Sequence, residues 1–302
     1  MPLSMQWQQP IEIQYRVSEP LVGAQFHSHA FYEIYYFHSG DCNYLIGDQL
    51  MKLQTGDLIL MHGMTLHSPH PSLHVPYVRS ILHFDPAYLF TVLRPEKASE
   101  LLQPFEELQN IRLSLEPSKQ AELEKTWGEL SVIHKERIHE GGSEDYGRFT
   151  FRFFELLQLI RHWCTQPVRE TAYRSQKEEH VQHVITFLEQ HYAKEITLDQ
   201  IAEALHLTKP YLSHMFKEVT GTTVFKYLYN RRINQAKMMF RLHPEQSVTD
   251  VYKAVGFEHA AHFSRMFTAV AGCNPAAYRK KMKEETDGRG RAVQEEKRGS
   301  SP

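Results

Sequence analysis

The sequence predicts an α+β protein of two domains: a small β sandwich or barrel with a helical hairpin beside it, then an all-α module. Three observations carry that prediction. Residues 11–85 hold short apolar runs broken by Gly, Asp, Ser and Pro, the pattern of short strands joined by turns. From about Pro117 the apolar residues recur at helical spacing. Between residues 194 and 283 one helical pattern occurs twice, about 50 residues apart.

The run Ile11-Glu12-Ile13-Gln14-Tyr15-Arg16-Val17 alternates as a half-buried strand does. Apolar runs follow at 31–37, 43–46, 57–61 and 78–84, with turn signals at Ser39-Gly40-Asp41, Gly47-Asp48, Gly56-Asp57 and Ser68-Pro69. Short strands at this spacing build a sandwich or barrel. Aromatic residues are dense here: Tyr15, Phe26, Phe31, Tyr32, Tyr35, Tyr36, Tyr44, Tyr77 and Phe84. Most belong to a core. A few would line a pocket for a sugar or another small ligand, since barrel mouths combine apolar walls with a few polar groups. His62, His67, His70, His74 and His83 read as exposed loop histidines, with pH sensitivity as the alternative.

Leu123, Trp127, Leu130 and Ile133-His134 fall on one helical face, and Phe149, Phe153-Phe154, Leu156-Leu157, Ile160 and Trp163 on another. Gly141-Gly142 between them reads as the turn of a hairpin. Residues 1–164 form the first domain. The polar stretch 165–179 is read as a linker, and a helix over 180–192 opens the second domain, 180–283. Residues 284–302 contain almost no apolar side chain and are expected to be disordered.

In the second domain, Leu198-Asp199-Gln200-Ile201 and Leu205-His206-Leu207 recur as Val248-Thr249-Asp250-Val251 and Val255-Gly256-Phe257. Tyr211-Leu212-Ser213-His214-Met215-Phe216 recurs as His262-Phe263-Ser264-Arg265-Met266-Phe267. Each copy reads as short helix, tight turn, second helix. Thr208 stands at an N-cap position with Pro210 in the first turn, where its missing N–H does no harm. Gly256 enters a left-handed turn without a steric penalty. Leu212, Met215 and Phe216, and again Phe263, Met266 and Phe267, face inward beneath polar outer faces. These are the parts of a helix-turn-helix. A long helix through Tyr227 to Phe240, burying Leu228, Ile233, Ala236 and Met239, holds the copies apart.

Residues 194–283 hold 14 Lys and Arg against seven Asp and Glu, a net +7 on a chain whose total is −2. A basic module on an otherwise acidic protein is the footprint of a nucleic-acid reader, where isolated Lys and Arg runs would be solvated helix faces. Three cysteines, Cys42, Cys164 and Cys273, cannot all pair and share no metal-like spacing, which suggests buried thiols in a reducing cytoplasm. No run of about 18 apolar residues and no basic-then-apolar leader is present, so neither a membrane span nor a signal peptide is expected.

On the residues Ile201-Ala202, Tyr211-Leu212-Ser213 through Phe216-Lys217, Gly221, Tyr227-Leu228, Arg232-Ile233 and Ala236, the segment resembles the double helix-turn-helix domain of AraC/XylS-type transcriptional regulators. The likeness continues through Val255-Gly256-Phe257, His262 to Phe267, Gly272 and Pro275-Ala276-Ala277-Tyr278-Arg279. It departs at His206, where the family usually has Gly, and at Tyr252, which replaces a small residue. Upstream, His27-Ser28-His29 with Glu33 and Gly40, then Gly56-Asp57-Leu58-Ile59-Leu60-Met61 and His67, resemble the two cupin motifs. The second lacks its usual prolines and has His62-Gly63-Met64.

The resemblance implies a DNA-binding transcriptional regulator, an activator, with a cupin-like β-barrel that binds a small effector such as a sugar. Its partners would be double-stranded DNA and RNA polymerase, and it would act as a cytoplasmic homodimer through helices 117–164. Ser213 and His214, with Pro210 against a thymine methyl, would contact bases from the first reader. His259, His262, Ser264 and Arg265 would do so from the second, Arg265 by bidentate pairing with guanine. Lys209, Lys217 and Arg279 would hold phosphates. Arg232 is expected in a structural ion pair. The effector would touch His27, His29, Glu33, Tyr35 and His67. No cofactor is required; the alternative is a metal-responsive regulator with an ion on His27, His29, Glu33 and His67. A cupin metalloenzyme is a more distant rival, because an enzyme has no use for two DNA readers.

Overall fold

The computed structural model describes residues 10–19, 26–108, 110–140, 143–165 and 175–285. The expected Gly141-Gly142 turn, most of the linker and residues 286–302 lie outside them. The chain divides into two compact units, one of residues 7–179 with 219–221 and the other of 1–6, 180–218 and 222–302.

Among the described residues of the first unit, eight strands form two antiparallel sheets. They are β1 (Ile11–Val17), β2 (Tyr32–Ser39), β3 (Cys42–Ile46), β4 (Gln49–Lys52), β5 (Asp57–Met61), β6 (His67–Pro71), β7 (Val78–Phe84) and β8 (Arg112–Ser114). The order is β1-β7-β2-β5-β8 in one sheet and β4-β3-β6 in the other. Tyr35, Phe37, Ile59 and Met61 of the first sheet pack on Cys42, Tyr44 and Ile46 of the second, which closes the cupin-like interior. The opposite face of the larger sheet, with Ile34, Tyr36, Leu58, Leu60, Leu82 and Phe84, packs on helices. Both faces of β2 are therefore covered, and only Ser39 at its end is exposed.

The helices of this unit are α1 (Pro86–Val92), α2 (Pro95–Glu107), α3 (Pro117–Glu140) and α4 (Ser143–Cys164). The apolar faces read from the sequence for α3 and α4 are buried, including Leu123, Trp127, Leu130, Phe149, Phe153 and Ile160. Asp85 caps α1 by accepting from the Ala87 N–H. Three differences from the sequence reading have plain causes. Strand β6 runs through Ser68-Pro69, which reads as a turn. As the last strand of its sheet it tolerates prolines whose N–H would face away from the ladder. Strands β4 and β8 are too short to announce themselves. Of the three thiols only Cys42 is buried, and all are free.

The second unit continues with α5 (Gln176–His191), α6 (Leu198–Ala204), α7 (Lys209–Thr220), α8 (Val224–Leu242), α9 (Val248–Ala254) and α10 (Ala260–Ala271), and residues 275–285 form a closing helix. Helix α5 begins four residues before the expected start. Ser175 is the reason: its Oγ accepts from the Glu178 N–H at 3.3 Å while Glu178 reaches back to the Ser175 N–H at 2.8 Å, a capping box inside the stretch read as linker. Ile201, Ala202, Leu212, Met215 and Phe216 are buried with Val181, Val184, Ile185 and Leu188 of α5. Ile233, Ala236 and Phe240 of α8 share a second core with Val251, Val255, Phe257, Phe263, Phe267 and Met282. Among the described residues no helix is long and apolar enough to cross a membrane.

Candidate effector site and nucleic-acid interface

The interior of the first unit collects the polar residues that sequence reasoning placed in cupin motifs. Glu33 lies on β2 directly opposite His83 of β7, and the carboxylate is 2% exposed. His67 opens β6 on the facing sheet and exchanges two backbone hydrogen bonds with His27, each 3.1 Å. His29 is held by a close crossing of chains: the Met64 N–H donates to the His29 carbonyl at 2.6 Å. A Cβ on Gly63 would stand 2.6 Å from the Ala30 carbonyl oxygen, so the His62-Gly63-Met64 turn needs its glycine.

Three imidazoles converge on one oxygen. His83 Nε2 is 3.0 Å from Glu33 Oε2, and His29 Nε2 and His67 Nε2 are each 3.4 Å from it. Burial alone would raise the Glu33 carboxyl, but the His83 and His67 charges and the approach of His29 outweigh it and hold it well below the usual carboxylate range. Burial pushes the His29 imidazole down, an effect that Glu33 partly offsets. His27 is exposed beside this group, its ring edge-on to His67 at 4.0 Å between centroids. Tyr35 points into the same interior, and its hydroxyl is 2.5 Å from that of Tyr77. The structure brings His27, His29, Glu33, Tyr35 and His67 into one region, and three histidines read as exposed loop residues lie in strands, His70 of β6 being half-buried. His67 and His83 are buried strand residues, not loop residues. His83 is the member the reading missed; its signal was the inward parity it shares with Ile81 on β7.

In the second unit the two copies form the same turn. Leu207 N–H donates to Ala202 O at 2.8 Å and Phe257 N–H to Tyr252 O at 3.0 Å. Lys209, Pro210, Ser213, His214 and Lys217 are exposed along α7. Lys209 pairs with Asp199 at 2.8 Å and His214 approaches Glu218 at 3.5 Å. On the second reader His259 and Arg265 are exposed, whereas His262 and Ser264 are half-buried. The His262 ring packs edge-on against Tyr229 and Phe257, at 5.0 and 5.4 Å between centroids. Burial, then the charges of Arg265, Arg232 and His259, keep it from protonating at its usual pH. Arg279 is half-buried and donates to the Gln246 carbonyl at 3.1 Å.

Arg232 is structural, but not as an ion pair. Its Nε and Nη2 donate to the carbonyls of Tyr192 and Lys194, both at 2.7 Å. Arg231 makes the ion pair instead, with Glu189 at 2.6 Å, and Tyr227 donates to the same carboxylate at 2.7 Å. These bonds fasten α8 to the end of α5. Tyr252 packs against Phe263 at 6.0 Å between centroids, so the larger side chain is absorbed into the second core.

Residues 14–130 match the AraC-like ligand binding domain, and residues 201–281 match a helix-turn-helix domain. The HTH-type transcriptional regulator YdiP of Escherichia coli is 23% identical over 257 residues, which cover 83% of this chain and 79% of YdiP. The HTH-type transcriptional activator RhaS of Escherichia coli is 33% identical over 115 residues, 38% of this chain and 39% of RhaS. ToxT from Vibrio cholerae O395 aligns over 90% of this chain and 98% of its own at 13% identity, with a TM-score of 0.34. The chain belongs to the AraC family of transcriptional regulators, a ligand-binding domain followed by a DNA-binding helix-turn-helix domain.

Proposed function

We propose that the protein activates transcription from an operator read by two helices, under the control of a small ligand bound in the mouth of its β domain. The observation that carries this reading is the duplicated turn, which presents two exposed polar helix faces, α7 and α10, on one α8 scaffold. Helix α8 has 19 residues, about 28 Å of rise, which suits readers in successive major-groove segments about 34 Å apart. Ser213, His214 and Pro210 contact bases from α7, and Arg265 with His259 and Ser264 from α10. The packing of His262 limits it to one ring edge. Lys209, Lys217 and Arg279 hold phosphates. RNA polymerase is the partner at the promoter, and the protein works in the cytoplasm without a catalytic step.

The ligand contacts His27, His29, Glu33, Tyr35 and His67. A sugar is the organic candidate, since hydroxyl groups suit a mouth lined by imidazoles and a carboxylate; the convergence of donors on Glu33 favours a metal ion instead. The protein dimerises through α3 and α4. There Phe151 is 77% exposed and Val132 55%, and Arg152 bridges Glu129 and Glu155 beside them.

Selection of binding sites from a pool of random duplexes, repeated across salt concentrations, tests the DNA reading. Wild type is expected to select a motif spanning two major-groove turns. Arg265→Ala is expected to lose preference at one base position, at a cost of about 1–3 kcal/mol. An absence of selection by wild type at every salt concentration would refute it.

A further inference from the structure

A cavity lies inside the DNA-binding unit, between α8, the turn into α10 and the segment that leads to α6. It holds about 240 Å³, below the roughly 300–1,000 Å³ of drug-sized sites, which sets an occupant at the scale of one amino acid. Its walls are apolar and largely aromatic: Ile196, Phe225, Leu228, Tyr229 and Phe257. The Tyr229 and Phe257 rings stack with centroids 5.8 Å apart, and His262 stands edge-on to both.

Arg232 is the buried charge of the lining. It is 6% exposed, and its Cζ lies 5.9 Å from the Tyr229 ring centroid and 5.7 Å from that of Phe257. Nε and Nη2 donate to backbone carbonyls, which leaves the N–H groups of Nη1 without an acceptor among the described residues. No carboxylate among them forms an ion pair with it. Burial pulls the guanidinium below its ordinary pKa, against the opposing pull of Tyr229 and Glu258. A buried guanidinium calls for an acceptor on its remaining donors, and the cavity has room for one. Toward solvent the charge reverses, because the lining residues Glu195 and Glu258 are exposed. A purely anionic ligand would meet those carboxylates, and a purely cationic one would meet Arg232. One chemistry satisfies every part of the lining: a carboxylate for Arg232, an ammonium for the glutamates and an apolar group between the aromatic walls.

We propose that this cavity is a second small-molecule site, outside the ligand-binding domain, for a zwitterionic amino acid with an apolar side chain, and that its occupant tunes the second DNA reader. His259 and His262 line the same cavity, so an occupant touches side chains at the start of α10. Filling the space beside Tyr229 and Phe257 restrains the His262 ring that packs on them. The tuning rests on α10 being a reader of DNA; the binding does not.

The test is calorimetric titration of the full chain with L-phenylalanine. The comparison ligands are 3-phenylpropionate, which lacks the ammonium, and 2-phenylethylamine, which lacks the carboxylate. One equivalent of L-phenylalanine per chain is expected. The amine should bind at least about tenfold more weakly, the scale of a lost hydrogen bond to a charged group. The propionate should bind about two- to fivefold more weakly, the scale of an exposed ion pair. Glu258→Gln changes an exposed side chain and should leave the fold intact. It should weaken L-phenylalanine about two- to fivefold and strengthen 3-phenylpropionate, two shifts of opposite sign that a loss of folding cannot produce. Arg232→Lys, checked for native circular dichroism, should weaken both carboxylates and leave the amine unchanged. The site is overturned if wild type binds no L-phenylalanine, or if Glu258→Gln leaves the two carboxylates unshifted or moves them in the same direction. Duplex selection with and without L-phenylalanine is scored separately. A changed preference confined to the bases read by α10 supports the tuning, and binding with an unchanged motif overturns it. Binding by a protein that selects no duplex sinks the DNA reading and the tuning together but leaves the site standing.

Discussion

The two turns of the DNA-binding unit give one backbone shape to two different residues, which makes their substitution a quantitative test. His206 has φ 53° and Gly256 φ 88°, both left-handed. At Gly256 a Cβ would lie 2.8 Å from the Ala193 oxygen and 2.9 Å from the Tyr192 oxygen. Those carbonyls cannot recede cheaply, because Arg232 grips Tyr192 O and Lys194 O at 2.7 Å on either side. Gly256→Ala therefore meets left-handed strain of about 1 kcal/mol together with an overlap of about 1–3 kcal/mol. The expected loss is about 2–4 kcal/mol. At exposed His206 the same strain is already present in the native protein. His206→Gly removes about 1–2 kcal/mol of it and gives back about 0.4–1 kcal/mol through a freer unfolded chain, a net gain of up to about 1.6 kcal/mol.

The assay exploits an asymmetry in the sequence. All three tryptophans, Trp7, Trp127 and Trp163, precede residue 180, and the fluorescence of buried Trp127 and Trp163 reports the ligand-binding domain. Far-UV circular dichroism reports the helices of both units. In urea, Gly256→Ala should lower the midpoint read by dichroism and leave the fluorescence transition in place, and His206→Gly should raise the former. A neutral Gly256→Ala, or a His206→Gly that loses more than about 0.5 kcal/mol, would refute the steric argument.

Other expectations concern the surface and acid stability. Phe151→Glu puts a charge on the exposed face of α4 without touching the core, so sedimentation should find monomers with an unchanged melting temperature. A dimer that persists would place the interface elsewhere. Lys217→Ala should weaken binding equally on all sequences and reduce the salt slope by about 1. Burial, then the Arg16 charge, hold the His38 imidazole down at about 4 against the opposing pull of Glu124. The unfolded chain takes up that proton near 6.5, so stability is full above pH 6.5 and falls as pH drops toward 4, by up to about 3 kcal/mol. His38→Gln should flatten the melting curve against pH between those limits, and an unchanged slope would remove His38 as the cause.

The fold was legible wherever one face of an element is buried and the other is not. Strand β1, the hairpin faces of α3 and α4, and the repeat between α6–α7 and α9–α10 all carry that asymmetry in their spacing. Reading failed where a residue's meaning depends on a partner distant in sequence. Pro69 looks like a turn until β6 is known to be an edge strand. His83 looks like a loop histidine until β7 is seen to lie beside β2 in register with Glu33. Arg232 looks like half of an ion pair, because a sequence cannot display the carbonyls of Tyr192 and Lys194 as acceptors. The start of α5 was missed for a different reason: Ser175 and Glu178 carry the signal of a capping box, but the polar composition around them outweighed it.

Strand β2 explains how a ligand inside the domain can be felt outside it. Alternate side chains of a strand point to opposite faces, so Glu33 and Tyr35 serve the interior while Tyr36 and His38 serve the helical side. There Tyr36 donates to Glu124 of α3 at 3.2 Å, His38 Nδ1 approaches the same oxygen at 3.5 Å, and His38 Nε2 meets Ser80 Oγ of β7 at 2.7 Å. Arg16 of β1 closes the group on Glu124. A ligand that draws Glu33 toward His67 must move β2 or strain it, and any movement along β2 changes the geometry at Glu124. Ligand binding shifts an equilibrium only through different contacts in two states. In this domain β2 carries such contacts on both faces, the Glu33 cluster on one and Glu124 of α3 on the other.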